Sequence, residues 1–210
     1  MTRPFLEKVA ADNREFVQAL LDENERLERA LANAQAELES RNRDFAERYL
    51  EVEQQNTNLA NLYVASYQLN GTLDRERVVA AVREIVINLI GSEELAIWEL
   101  DDQLDALSLI GSFGINQSEW AGVPLGSGVV GMVAHTGERF VAAEALVQPF
   151  GREETLTACI PLKLDDRVIG AIGIFRLLQQ KQGLEPVDFE LFDLLGSHAA
   201  SALYCTREIS

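Results

Sequence analysis

Few side chains in this sequence have the chemistry of a nucleophile, a base or a metal ligand. It holds two cysteines, Cys159 and Cys205, and two histidines, His135 and His198. Two distant cysteines are too few for a disulfide framework and lack the spacing of a zinc site. Cys159 has no base or resolving thiol beside it in sequence, so it reads as a small buried hydrophobe rather than a redox thiol, and Cys205 reads the same way. His135 falls at the end of a short predicted helix, where an imidazole bonds the last carbonyls and suits the helix dipole; a metal or haem role is the alternative. His198 has no second ligand at i+3 or i+4 and reads as a surface or interface residue. The run Gly126-Ser127-Gly128-Val129-Val130-Gly131 lacks the lysine and hydroxyl of a phosphate loop. Carboxylates are plentiful, yet none stands with an apolar pocket and partner suited to acid–base work. These residues indicate no catalytic residue, no metal and no cofactor.

Composition narrows the field further. With 210 residues, 47% hydrophobic and 25% charged, the chain fits one globular domain plus an extension. A formal charge of −16 and a pI near 4.5 argue against nucleic acid as a partner, because phosphate contacts need a basic face. No apolar run approaches a membrane span and the N-terminus has no signal-peptide core, so no membrane insertion and a cytoplasmic location are expected.

What must position any site begins with residues 1–70. From Phe5 to Asn70 there is no glycine or proline, and helix formers dominate. Leu6, Ala10, Val17, Leu20, Leu27, Leu31, Ala34 and Leu38 recur at three-four spacing with Asn24 among them, which is a coiled-coil seam. Beyond Leu38 the frame shifts by four residues, a stutter, and continues through Asn42, Phe45, Tyr49, Val52, Asn56, Leu59 and Tyr63. Asparagines at a positions pair with their own copies and favour two parallel strands, so a homodimer is expected, joined through Leu20, Asn24, Leu27, Leu31, Leu38, Phe45, Val52, Asn56 and Leu59. Such a helix would extend about 100 Å at 1.5 Å per residue, too far to stand without a partner.

Residues 71–210 read as one domain. Asp74 caps a helix reaching about Leu89, and Gly91 stops it. Strands follow over Glu94–Leu100 and Ala106–Phe113 across the turn Asp101, Asp102, Gln103. Asn116–Gly126 reads as irregular, Gly128–Ala134 as a short helix ending at Thr136-Gly137, Arg139–Ala142 as a short strand and Ala143–Glu154 as a loop. Thr157–Arg176 reads as a hairpin around the three-residue turn Asp165, Asp166, Arg167, with Gly170 and Gly173 marking close approach of another group. Pro186 opens the last helix, whose buried stripe is Phe189, Phe192, Leu195, Ala199, Ala202 and Leu203.

This order, with Gly71-Thr72-Leu73-Asp74, the Gly126–Gly131 run, Thr136-Gly137, Ile160-Pro161-Leu162, Val168-Ile169-Gly170 and Phe189-Glu190-Leu191-Phe192, resembles a GAF domain over roughly Asn61 to Arg207. The resemblance implies an α+β fold, an antiparallel sheet flanked by helices and preceded here by the parallel coiled coil. It also implies a pocket between sheet and loop, for which Trp98, Phe113, Met132, Phe140, Phe150, Cys159 and Ile172 are the candidate walls; that these residues simply fill a core stays open. The signature of cyclic-nucleotide-binding members is missing, as is the cysteine–histidine pair of tetrapyrrole binders and the thiol set of methionine sulfoxide reductases. Since no output domain follows the last helix, the expectation is a non-catalytic, stand-alone regulatory homodimer. It would serve as an adaptor or scaffold for another signalling or motility protein. The alternatives are a sensor whose small-molecule ligand rearranges the coil, and a thiol-dependent enzyme.

Overall fold

The computed structural model describes the backbone of residues 3–101, 103, 105–145 and 149–207, with side chains from residue 13 onward. The side chains of Leu6 and Ala10, Asp102 of the expected turn, and residues 146–148 of the expected loop lie outside the described residues. Helix α1 runs unbroken over Arg3–Asn70. Its sequence supports it locally, with ion pairs one turn apart such as Arg29–Glu25 and Arg41–Glu37 on its exposed surface.

The chain divides into two compact units, Met1–Asn56 and Thr57–Ser210. In the first, Leu20, Leu27, Leu31, Leu38, Phe45 and Val52 all stand exposed, as do Asn24 and Asn56; Asn24 donates a hydrogen bond to Glu28. The expected boundary at residue 70 marks the end of the helix, whereas the second unit begins earlier. Ala65 and Leu69, fully buried, belong to that unit's core, while Leu59 and Tyr63 remain exposed.

Six antiparallel strands form the sheet: β1 (Ser92–Asp101), β2 (Ala106–Phe113), β3 (Gly122–Pro124), β4 (Phe140–Val141), β5 (Ala158–Leu164) and β6 (Arg167–Leu177), in the order β3-β2-β1-β6-β5-β4. The stretch expected to be irregular, Asn116–Gly126, instead contributes a one-turn helix α3 (Gln117–Trp120) and edge strand β3. Three residues of β3 are too few to show a period, so only their pairing with β2 creates the strand. The β5–β6 turn has two residues rather than three, because Arg167 pairs with Leu164; Asp165 supplies the left-handed conformation at φ 54°. Pro161 lies beyond the two-residue β4, with its carbonyl facing Gly196, so its missing N–H weakens no pairing with β4.

One face of the sheet carries α2 (Arg75–Ile85), the end of α1 and the terminal helices α5 (Pro186–Leu194) and α6 (Ala200–Arg207). Asp74 caps α2 by accepting from the backbone N–H groups of Glu76 and Arg77. A π-helical turn, Val86–Ile90, extends α2 to Gly91, and a second, Leu195–Ala199, joins α5 to α6. Lys181 Nζ donates to the Ile90 carbonyl at 2.6 Å and to Asp188 at 2.8 Å, tying the first π turn to the start of α5. The expected stripe is buried at Phe192, Leu195, Ala199, Ala202 and Leu203, with Phe189 partly covered.

Glu99 of β1 gathers both ends of this helical layer. It accepts hydrogen bonds from Arg75 at the start of α2 and from Arg207 Nε, at 2.6 Å, at the end of α6. Burial alone would raise its carboxyl, but bonds and charge from Arg75 and Arg207 outweigh that and hold it below the ordinary 4.5. A lowered folded value stabilises the native state fully above the ordinary value and is lost as pH falls through the folded one. Glu99→Gln is therefore expected to lower the urea midpoint at neutral pH, with the gap to wild type closing below about pH 4.5. A gap independent of pH would remove this electrostatic role.

Candidate functional site

The opposite face of the sheet holds the aromatic side chains. Trp98 projects from β1 across β6, where Gly173 makes room for it; a Cβ at Gly173 would lie 2.9 Å from the indole ring. Gly170 is equally confined, by the Trp98 carbonyl. Trp98 Nε1 donates to the Trp120 carbonyl at 2.9 Å. Ring centroids are 5.6 Å apart for Trp98–Trp120, 4.7 Å for Trp120–Phe175 and 6.4 Å for Trp98–Phe175. Helix α4 (Gly128–Thr136) packs Val130, Val133 and Ala134 onto this cluster.

A turn at Gly151–Glu153 covers the cluster. The Arg152 guanidinium lies 4.5 Å from the centroid of the Trp120 ring and donates to the Glu119 carbonyl, a cation over an aromatic face. Glu153, buried though charged, accepts from the backbone N–H groups of Val129 at 2.7 Å and Val130 at 3.1 Å. Those donors open α4 and have no partner within the helix, and its positive end favours a carboxylate. A Cβ at Gly128 would meet that carboxylate at 2.7 Å, so this position accepts little else. Beside the turn lies an open cleft of ≈ 510 Å³ lined by Ser127, Gly128, Val129, Pro149, Phe150, Gly151, Arg152 and Glu153.

A GAF domain family model matches residues 72–203, more than half of the chain. The chain belongs to the GAF domain family. Solved GAF domains share its fold. That of a phosphoenolpyruvate-protein phosphotransferase from Coxiella burnetii is 19% identical, with 72% of this chain and 95% of that one covered at a TM-score of 0.60; the Acinetobacter counterpart is 18% identical, with 74% and 97% covered at 0.58. A free methionine-R-sulfoxide reductase from Neisseria meningitidis, solved with its substrate, is 18% identical, with 71% and 89% covered at 0.53. At these identities the likeness is one of fold alone. No curated protein sequence matches this one.

Within this GAF domain the seven candidate wall residues do not form one pocket. Trp98, Cys159 and Phe140 belong to the aromatic face. Ile172 is buried on the other face with α2 and the terminal helices, because side chains alternate along β6 and Ala171 takes the aromatic side. Phe113 and Met132 stand exposed, and Phe150, 86% exposed, is the one candidate that lines the cleft. Sequence reasoning missed Trp120, Phe175, Arg152 and Glu153. Trp120 sits in a stretch without period, and a buried loop carboxylate looks in sequence like any solvated one.

Cys159 is fully buried; burial pushes its thiol far up, and the nearby Glu153 carboxylate adds to this. A thiol so held stays protonated near neutral pH and is a poor nucleophile. Cys205 and His135 are exposed. Half-buried His198 places Nδ1 3.2 Å from the Asn70 amide nitrogen, which also donates to the Ser66 carbonyl. Among the described residues no three His, Cys, Asp or Glu side chains gather where they could hold a metal ion, and no helix is long and apolar enough to cross a membrane.

Proposed function

We propose that this GAF protein is a non-catalytic regulatory homodimer of the cytoplasm, an adaptor that two paired α1 helices hold together and that acts on another signalling or motility protein. The observation that carries the reading is the exposed apolar row on α1. Leu27, Leu31 and Leu38 are each 60% exposed and Phe45 71% in the single chain, spaced so that a second copy would cover them. Asn24 and Asn56 within that row set a parallel register with their own copies. Against catalysis by Cys159 stand its burial and its raised thiol. Sedimentation of the full chain tests the reading: a mass twice the 23.3 kDa of one chain is expected, and a monomer at micromolar concentration would overturn it.

A second reading, a ligand sensor, has a specific observation in its favour. The cleft beside α4 offers apolar walls at Val129 and Phe150 next to the charged pair Arg152 and Glu153, the mixture that small-molecule sites use. A reproducible added mass in the native mass spectrum of protein from its own source would put this reading first.

A further inference from the structure

We propose that the groove between the outer edge of β5 and the π turn Leu195–Ala199 is a ligand site for an organic monocarboxylate, one carboxylate on a short apolar body. The groove has a volume of ≈ 470 Å³, within the range that small-molecule sites use. It shares no lining residue with the cleft beside α4.

The local sequence explains why a groove forms here. Strand β4 pairs with β5 only at Ala158 and Cys159, and the sheet ends with β4. Among the described residues no strand covers the edge of β5 beyond them, and Pro161 lacks the N–H that a further strand would need. The π turn comes up to this edge instead. It approaches closely at Gly196, where a Cβ would lie 3.0 Å from the Pro161 carbonyl oxygen, and a Cβ at Gly137 would lie 2.8 Å from Lys163 Cε. Two glycines thus let the walls draw together. Ile160, Pro161 and Phe192, largely buried, give the groove its apolar surface.

Arg139 and Lys163 supply the charge. Arg139 is held in place, since its Nη1 donates to Asp193 at 3.0 Å and its guanidinium lies 5.2 Å from the centroid of the Phe189 ring. Asp193 matches that charge. Lys163 is exposed and has no hydrogen-bond or ion-pair partner among the described residues. The lining therefore carries one surplus positive charge, in a chain whose formal charge is −16. A single free ammonium suits a monoanion, whereas a phosphate dianion would stand beside the Asp193 carboxylate with no second free cation. The apolar surface next to Lys163 selects an apolar body over a small hydrated ion. An occupant would touch both β5 and the turn that joins α5 to α6, and so tie the sheet to the terminal helices. The inference stands apart from dimerisation through α1 and does not depend on it.

Amide shift mapping by NMR on the unmodified full chain tests the site, with 4-phenylbutanoate and octanoate as probes. Saturable shifts are expected at the amides of Gly137, Lys163, Gly196 and Ser197, with a Kd of about 1 mM or tighter. The neutral 4-phenylbutanamide is expected to bind at least about ten-fold more weakly, because it cannot accept a charge-assisted hydrogen bond as a carboxylate does. Lys163→Met keeps the length of an exposed side chain and removes its ammonium, and it should weaken 4-phenylbutanoate by at least about the same factor. No saturable shift with either probe up to about 10 mM would overturn the proposal. So would shifts confined to Ser127, Gly128, Val129 and Gly151, which would put the carboxylate in the other cleft. Equal shifts from inorganic phosphate, or unchanged affinity in Lys163→Met, would likewise overturn it, and the mapping on the unmodified chain decides whether or not the variant folds.

Discussion

Replacing Leu27 and Leu31 together by aspartate is expected to convert the proposed dimer into a monomer. Both leucines are exposed in the single chain, so the change removes nothing from the chain's own core. In a parallel pair, four leucine side chains are buried, each contributing about 1.5–3 kcal/mol. Even about 4 kcal/mol of net loss weakens association roughly a thousand-fold, and aspartates facing one another at the seam add the cost of desolvating like charges. Ala36→Asp serves as the control, because Ala36 is equally exposed but points away from the seam by heptad position. Sedimentation at micromolar concentration should show the control as a dimer and the double variant as a monomer. A dimeric double variant would move the interface off α1.

Trp98→Ala is expected to cost on the order of 3–5 kcal/mol of stability, as truncation of a large buried aromatic does. Trp98 is fully buried, meets both Trp120 and Phe175, and fills most of the room that Gly173 leaves, with the Phe175 ring at its edge. Its indole N–H is also the donor to the Trp120 carbonyl. Trp98→Phe separates the two contributions. The ring contacts largely persist, and what remains is an unpaired buried carbonyl with some lost volume, about 1–3 kcal/mol. Urea unfolding of the three proteins measures both differences. A Trp98→Ala loss below about 1 kcal/mol would mean that the aromatic cluster is not the keystone of this face.

Much of this architecture was legible in the chain because its causes are local. Freedom from glycine and proline from Phe5 to Asn70, Asp74 before α2, Gly137 after α4 and Pro186 at the start of α5 each act within a turn of their own position. Two short apolar runs about a polar turn, with Gly170 and Gly173 in the second, separated the β5–β6 hairpin from a helix. The GAF family was legible for the same reason, since its short motifs are chiefly turns, caps and hairpin ends.

Other features depend on partners distant in the chain. Strand β3 exists by pairing with β2, and the π turns Val86–Ile90 and Leu195–Ala199 lie in stretches that read as ordinary helix. Which sheet face Ile172 or Cys159 takes follows from the register across three strands, not from its neighbours in sequence. The binding of Glu153 to the start of α4 joins residues more than twenty positions apart. The sequence by itself determined the end of α1, the starts of α2 and α5 and the end of α4, because backbone preference and capping are short-range. Only the tertiary structure decided that Trp98, Trp120 and Phe175 meet beneath Arg152, because that contact exists only once four separate segments have packed together.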